Sequence, residues 1–289
     1  MVMGPTHAMS GAAVWLAASA GGILPTVTGA PLSVVFAGAA VCAGSALLPD
    51  LDCPGSLSSK DGSTVVRAFG FAGEAVGHTL ENLGQFVYNL TRSKKDEERN
   101  SGHRTLTHTL VFAILLSFGI SAAGSITKTF TLFDRQWIVG QIVILVVMWG
   151  CLHLAMFGLA EKWVKRNRRK YGLLFLVACS GGLTYATVTQ LPTEGGYPWL
   201  GFAVGFGSLI HCFGDAITKA GVPIVWPIPI RGRRWFELST GPFAFRAGGG
   251  FEYAVVLPLF TIVAVVSAIL VVPEAREAIN TFLDSLPEN

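Results

Sequence analysis

Eight histidine and carboxylate side chains occur where apolar stretches of the sequence begin or end. The predicted metal ligands are His7, Asp50, Asp52, His103, His108, His211, Asp215 and Glu252. Imidazole and carboxylate groups without cysteine suit Zn²⁺, with Mn²⁺ or Fe²⁺ as alternatives. This set exceeds what one tetrahedral ion needs, so the sequence predicts one or two divalent ions. Two ions about 3.5–4 Å apart, bridged by a carboxylate such as Asp52, would activate water and clamp a phosphoryl group.

Candidates for the catalytic steps stand among or beside these ligands. Asp50 or Glu252 is the predicted general base, because a positioned carboxylate can accept a proton from water. Arg104 is the third predicted catalytic residue, since a guanidinium can hold two phosphate oxygens. A later loop adds further basic residues, namely Lys219, Arg231, Arg233 and Arg234. The alternative for Arg104 and for these loop residues is a positive cytoplasmic segment or a contact with anionic lipid.

Each ligand motif also has a purely structural interpretation. His211 and Asp215 are four residues apart, on one face of a helix, where they can simply form a hydrogen bond. Asp50 and Asp52 can belong to a turn, and the segment GHRTLTH can be the start of a helix. However, a chain with only 13% charged residues has little reason to group four carboxylates with four histidines unless they bind something. The grouping therefore favours a metal site over a structural polar network.

The composition indicates that these residues are positioned by a membrane protein. Charged residues make up 13% of the 289 positions and hydrophobic residues 51%, whereas soluble domains carry about 25% charged residues. This low charge excludes most soluble folds and intrinsic disorder. The net charge of +3 is too small to argue for nucleic-acid binding, and none is predicted.

Apolar stretches long enough to cross a bilayer recur along the chain. A hydrocarbon core about 30 Å thick needs about 20 apolar residues per helix. The sequence predicts an all-α fold, a polytopic transmembrane helical bundle of about seven spans. The predicted spans are Ala8–Leu24, Ala30–Leu48, His108–Ile126, Trp137–Ala160, Tyr171–Leu191, Tyr197–Asp215 and Tyr253–Val272.

The whole chain, residues 1–289, is predicted to form one membrane-embedded domain. Residues 53–102 form a cytoplasmic insert within it, where the apolar spacing of residues 65–90 predicts an amphipathic helix at the membrane interface. Most of the 21 Lys and Arg residues fall in residues 53–107, 161–170 and 216–252. With seven spans these segments share one side, which the positive-inside rule makes cytoplasmic. The N-terminus and the site are then cytoplasmic, and the C-terminus lies outside.

Four sequence blocks resemble the YdjM-like family of bacterial inner-membrane proteins. They are an early histidine, LLPDLDCPGS, GHRTLTHT and HCFGDAITKAGVPIVWPIP, in this order. The resemblance implies a multi-pass protein of the bacterial inner (cytoplasmic) membrane with metal-dependent hydrolase activity. The recurring polar positions of the family match seven residues of this sequence, namely His7, Asp50, Asp52, His103, His108, His211 and Asp215. Glu252 matches such a position more loosely. Cys53 departs from the family pattern, because a histidine often follows the second aspartate there.

These observations together predict a membrane-embedded, metal-dependent hydrolase that acts on a lipid or small-molecule phosphoester at the cytoplasmic face. One alternative is a transporter of a metal ion or small solute, in which the same ligands form a transport site. Another is a non-catalytic membrane scaffold that binds partners through its basic loops. His153, in the predicted fourth span, is interpreted as a packed core histidine rather than a ligand.

Overall fold

The computed structural model describes residues 4–24, 27–53, 64–132, 134–167 and 169–285, which are mostly helical. The helices are α1 (Gly4–Ala20), α2 (Leu32–Ser45), α3 (Thr64–Phe69), α4 (Phe71–Thr91), α5 (Leu110–Gly124), α6 (Val139–Arg166), α7 (Arg169–Val188), α8 (Pro198–Ala216), α9 (Leu257–Val271) and α10 (Pro273–Asp284). Short 3-10 turns cover Pro49–Asp52, Leu106–His108 and Gly241–Phe243, and a π-helical turn covers Glu252–Val256. The strands are β1 (Thr129–Leu132) and β2 (Arg135–Ile138).

Four segments of the described chain are long and apolar enough to cross a membrane. They are Leu32–Asp52, Val139–Glu161, Tyr171–Val188 and Glu252–Val271. Helix α5 is apolar but shorter, and α1, with 17 residues, is about 25 Å long. Helix α8 includes His211 and Asp215 among its apolar residues. The predicted count of about seven spans is therefore not confirmed, because α1, α5 and α8 are either short or interrupted by polar side chains.

The core of the bundle forms where α1, α2 and α8 pack together. Trp15 of α1 is fully buried there, and its Nε1 donates to the carbonyl of Val35 in α2 over 2.9 Å. Two glycines bring the helices into close contact. A Cβ added at Gly44 would lie 1.9 Å from the carbonyl oxygen of Cys151 in α6, and one at Gly207 of α8 would lie 2.4 Å from the carbonyl oxygen of Cys42. Close packing through small residues is typical of membrane helices.

The predicted amphipathic helix of the insert is divided into two helices. The break falls at Gly70, whose φ of +60° suits a residue without a Cβ. Helix α4 then exposes large apolar side chains such as Phe71, Phe86 and Leu90 along its length. Its other face packs on the 3-10 turns Pro49–Asp52 and Leu106–His108. Residues 54–63 of the predicted insert lie outside the described residues.

A short β-hairpin corrects the all-α prediction. Strands β1 and β2 are antiparallel and pair Thr129 with Ile138 and Leu132 with Arg135. These strands read TFTL and RQWI, in which β-branched and aromatic residues favour extended backbone. The hairpin precedes α6 directly, so it lies at the start of a predicted span and adds a minor β element to the helical fold.

Candidate metal centre

Four separate chain segments bring buried histidine and aspartate side chains together. His7 lies near the start of α1, and Asp50 lies in the 3-10 turn that follows α2. His108 ends the 3-10 turn before α5, and Thr109 then caps α5 by accepting a hydrogen bond from the Phe112 backbone N–H. The remaining two residues lie one turn apart on α8. The five side chains of this ligand cluster, each less than 10% exposed, are His7, Asp50, His108, His211 and Asp215.

Two imidazole nitrogens and two carboxylate oxygens of the ligand cluster lie close to one another. The Nε2 atoms of His108 and His211 are 3.3 Å apart. Asp50 Oδ1 lies 3.9 and 3.6 Å from these two nitrogens, and Asp215 Oδ2 lies 3.9 and 3.8 Å from them. Ligands about 2.0–2.1 Å from a tetrahedral Zn²⁺ would lie about 3.3–3.4 Å apart. The spacing therefore fits a divalent ion after a small contraction.

The second ring nitrogen of each of these two histidines is held by a hydrogen-bond acceptor. His211 Nδ1 lies 2.9 Å from the carbonyl oxygen of Ala46. His108 Nδ1 lies 3.4 Å from Asp52 Oδ2 and 3.0 Å from Thr107 Oγ1. Metal-binding histidines usually donate their other N–H to a carbonyl or carboxylate in this way. With Nδ1 protonated, both Nε2 lone pairs face the centre of the cluster.

His7 extends the ligand cluster on the other side of Asp215. Its Nε2 lies 3.5 Å from Asp215 Oδ1, and its ring stacks on His211 with the centroids 3.9 Å apart. Within the described chain, neither ring nitrogen of His7 has a hydrogen-bond partner, and the same is true of Asp50 Oδ1. Burying polar atoms without partners costs about 1–3 kcal/mol each. A bound ion would satisfy them, so the side chains present fit a divalent metal.

The contacts of Asp52 favour a supporting role instead of direct ligation. Its Oδ1 accepts a hydrogen bond from His103 Nδ1 over 2.8 Å. Its Oδ2 accepts from the backbone N–H of Arg104 over 3.0 Å and from the hydroxyl of Thr107. Since both oxygens are already engaged, Asp52 is positioned to orient His103 and His108. That Asp52 bridges two ions stays a prediction, and His103 joins the site through Asp52.

Arg104 contacts the ligand cluster and lies on its less buried side. Its Nη2 lies 2.8 Å from Asp215 Oδ2, and its side chain is 12% exposed. Its φ of +55° is uncommon for a residue with a Cβ and marks a strained backbone. His103 is the other partly exposed group, at 29%. The cluster is therefore most accessible beside Arg104 and His103, where a guanidinium could reach an anionic substrate.

Two other candidates have different surroundings from the ligand cluster. Glu252 is buried, and its Oε2 accepts a hydrogen bond from the Gly248 backbone N–H over 2.7 Å. The two groups of potential ligands found among the described residues contain the five cluster residues and not Glu252. Its roles as ligand and as general base stay predictions. Cys53 is half-buried, and its burial together with the Asp50 and Asp52 carboxylates raises the pKa of the thiol to about 11.

The remaining candidates, His153 and the basic loop, do not belong to the ligand cluster. His153 packs against Phe69, and its Nε2 lies 3.2 Å from the carbonyl oxygen of Ala68, so its surroundings fit a packed histidine. In the basic loop, the Arg234 backbone N–H donates to Asp96 Oδ2 over 3.2 Å, and Arg233 pairs with Glu97. These loop contacts involve the segment after α4, not the ligand cluster.

Sequence reasoning missed two groups that orient the histidines. One is the hydroxyl of Thr107, which contacts both Asp52 and His108. The other is the carbonyl of Ala46 at the end of α2. The position of Thr107 directly before His108 is a signal that could have suggested the first. A backbone carbonyl carries no sequence signal at all.

Comparison with known proteins supports the sequence resemblance. A family model described as YdjM inner membrane protein matches residues 1–160 and 168–275. These ranges include the ligand cluster, Asp52, His103, Arg104 and Glu252. No match was found among curated proteins or among solved structures. Because the matched residues cover nearly the whole chain, the protein belongs to the YdjM inner membrane protein family.

Proposed function

We propose that this protein is a membrane-embedded, metal-dependent hydrolase that acts on a phosphoester. The observation that carries the proposal is the geometry of His108 and His211. Their Nε2 atoms lie 3.3 Å apart, near the Asp50 and Asp215 carboxylates, while their Nδ1 atoms are held from behind. A network built only for stability would not need to leave His7 and Asp50 atoms buried without hydrogen-bond partners.

The chemistry follows from the positions of individual side chains. A divalent ion in such a site, Zn²⁺ or alternatively Mn²⁺ or Fe²⁺, supplies Lewis acidity that activates water and polarises a phosphoryl oxygen. Arg104 lies beside Asp215 on the accessible side and would hold the phosphoryl oxygens. Asp50 would hold the ion through Oδ1, and the other oxygen of its carboxylate would accept the proton of the attacking water. Asp52 would keep His103 and His108 in position.

The proposal places this reaction at the cytoplasmic face of the inner membrane. Its support is the family membership and the concentration of Lys and Arg near the ends of the apolar segments that carry the site. Residues 1–289 would act as one membrane domain, with the insert of residues 53–102 covering the site through α4. A headgroup phosphate at the membrane surface could then reach Arg104.

Metal analysis and hydrolysis assays of the purified protein test the proposal. We expect bound Zn²⁺, Mn²⁺ or Fe²⁺, and release of phosphate or alcohol from phosphomonoester and phosphodiester substrates. His211→Ala and Asp215→Asn should lose both metal and activity. His153→Ala is the matched control, since it removes a buried histidine outside the ligand cluster. Metal retained in His211→Ala, or wild-type protein without metal and without hydrolysis, would contradict the proposal.

A further inference from the structure

An apolar cavity adjoins the ligand cluster between three helices. It has a volume of 260 Å³ and lies between the first turns of α1, the last turns of α8 and the segment Val256–Phe260. We call it the side cavity. Its apolar walls are formed by Val14, Ile210, Phe213, Ile217, Phe245 and Phe260. Complete small-molecule sites usually measure about 300–1,000 Å³, so the side cavity is of a size to hold part of a ligand.

The outer side of the cavity is lined by exposed apolar side chains. Phe213 is 55% exposed, and Ile217 is also exposed, whereas Ile210 on the inner wall is buried. The wall contributed by α9 belongs to the apolar segment Glu252–Val271, which is long enough to cross a membrane and has few buried residues. Exposed apolar side chains on a segment that crosses the bilayer contact hydrocarbon, and Phe213 and Ile217 lie beside such a segment. The side cavity is therefore accessible from the bilayer.

The inner side of the cavity reaches the ligand cluster through His7. This residue forms part of the wall, and its Nε2 lies 3.5 Å from Asp215 Oδ1. Gly214, the neighbour of Asp215, lines the cavity as well. Thr6 is a further wall residue, and its buried hydroxyl has no hydrogen-bond partner within the described chain. The cavity thus joins an apolar compartment, accessible from lipid, to polar groups that could hold a phosphate-bound ion.

We propose that the side cavity binds one hydrocarbon chain of a membrane lipid whose phosphoester lies at the ligand cluster. An amphiphile matches both parts of this arrangement, because its chain suits the apolar walls and its charged end suits the metal ligands and Arg104. A small soluble phosphoester would leave the side cavity unused. The identity of the headgroup rests on the proposed function, whereas the chain site rests on the cavity itself.

Photo-crosslinking of the full-length protein in lipid nanodiscs tests this chain site without requiring hydrolysis. The probe is dodecyl phosphate with a diazirine at the end of the chain, and labelled positions are found by mass spectrometry. We expect labels on the α1, α8 and α9 residues of the cavity, reduced by excess dodecyl phosphate and not by inorganic phosphate. Val14→Phe should fill the cavity and reduce labelling by about tenfold. The control Val265→Phe adds the same bulk on the exposed face of α9 and should leave labelling unchanged.

A second variant tests the side cavity in case Val14→Phe does not fold. Phe260→Ala enlarges the side cavity, so a branched-chain alkyl phosphate should become a better competitor than the straight chain. Labels spread evenly over the lipid-facing helices, or cavity labels that neither variant changes, would overturn the chain site. Cavity labelling without any hydrolysis would support the chain site and contradict the proposed hydrolase. Equal hydrolysis of short-chain and long-chain phosphoesters by wild type and Val14→Phe would support the proposed hydrolase and contradict the chain site.

Discussion

At the scale of residues, the orientation of two imidazole rings determines what the site can bind. The carbonyl oxygen of Ala46 lies beside the Nδ1 atom of His211. The carboxylate of Asp52 lies beside the Nδ1 atom of His108. The Nε2 atoms of both rings therefore lie toward Asp50 and Asp215. A carboxylate behind a ligating imidazole also raises its basicity and fixes its tautomer. Asp52 would thus influence a bound ion even though its own oxygens are already hydrogen-bonded.

The Asp52→Asn substitution tests this supporting role. It removes the negative charge behind His108 and replaces one acceptor oxygen with an amide donor. We expect metal affinity to fall by about 10–100-fold, the usual effect of losing such a partner. Isothermal titration of the metal-stripped protein with Zn²⁺ in detergent measures the affinity. The control is Asp96→Asn, which changes an aspartate that accepts a hydrogen bond from the Trp235 backbone N–H and is not part of the cluster. Equal affinities in all three proteins would show that Asp52 does not support the centre.

At the scale of elements, close helix contacts determine where the ligands lie. Helix α2 leads directly into the turn that carries Asp50, and it contacts α6 through Gly44 and α8 through Gly207. Both contacts bring a helix backbone close to the glycine, with no space for a Cβ. A shift of α2 would move Asp50 away from His211, so the glycine packing and the ligand geometry are coupled.

The Gly44→Ala substitution should therefore destabilise the bundle. Its Cβ would lie 1.9 Å from the Cys151 carbonyl oxygen, and the helices would have to separate. Overpacking of this kind costs about 1–3 kcal/mol. The control Gly119→Ala in α5 meets nothing within 4 Å and should be neutral or stabilise by up to about 1 kcal/mol. Denaturation of both variants in mixed micelles measures the difference. A Gly44→Ala protein as stable as Gly119→Ala would contradict the close contact.

Asp96 joins the segment after α4 to the basic loop and gives this region a predictable pH dependence. Burial raises the pKa of Asp96, but hydrogen bonds from the backbone N–H groups of Ser93, Trp235 and Arg234 lower it more, so the net pKa is below its ordinary value. The ordinary pKa, which applies in the unfolded chain, is about 3.9. The stabilisation is therefore complete above about pH 4 and is lost as pH falls through the lower folded-state pKa.

The fluorescence of Trp235 reports this contact, because it is buried and stacks on Trp226. We expect the wild-type signal to stay constant from neutral pH to about pH 4 and to change only below it. The Asp96→Asn protein should lack this transition, and Trp235→Phe identifies the contribution of this tryptophan. A wild-type transition near neutral pH, or one that persists in Asp96→Asn, would assign the contact to another group.

At the scale of the whole molecule, the number of spans determines on which side of the membrane the site lies. Four described segments qualify as spans by length and composition, while α1, α5 and α8 pack among them. If all seven cross, the basic segments share the cytoplasmic side with Arg104, and the two ends of the chain lie on opposite sides. This orientation is a prediction from charge alone.

Reporter fusions test this orientation. Alkaline phosphatase, which is active only outside the cytoplasm, should be inactive when fused after Asn167 and active when fused after Glu194 or Ser285. A fluorescent protein that matures in the cytoplasm should give the opposite result at the same three sites. Cytoplasmic signals after both Glu194 and Ser285 would contradict the seven-span orientation.

The sequence by itself determined the family, the helical character and the eight histidine and carboxylate residues that are candidate metal ligands. These features depend on local information, such as residue type, apolar run length and short motifs like HCFGD. The single helix predicted for residues 65–90 was wrong at Gly70, and the β-hairpin was missed. Both errors concern local backbone conformation, which one glycine with a positive φ or a few β-branched and aromatic residues can change.

Only the tertiary structure decided which candidate residues face the centre of the ligand cluster and which are hydrogen-bonded around it. Asp50 and Asp52 are two residues apart and chemically identical, yet one faces the imidazole nitrogens and the other is hydrogen-bonded behind them. Glu252 was one of the eight predicted ligands, but its Oε2 accepts a hydrogen bond from the Gly248 backbone N–H. The side cavity has no motif, because its walls come from distant parts of the chain. Such distinctions depend on ångström distances between helices, which are fixed by packing at positions such as Gly44 and Gly207 and not by the local sequence of the ligands.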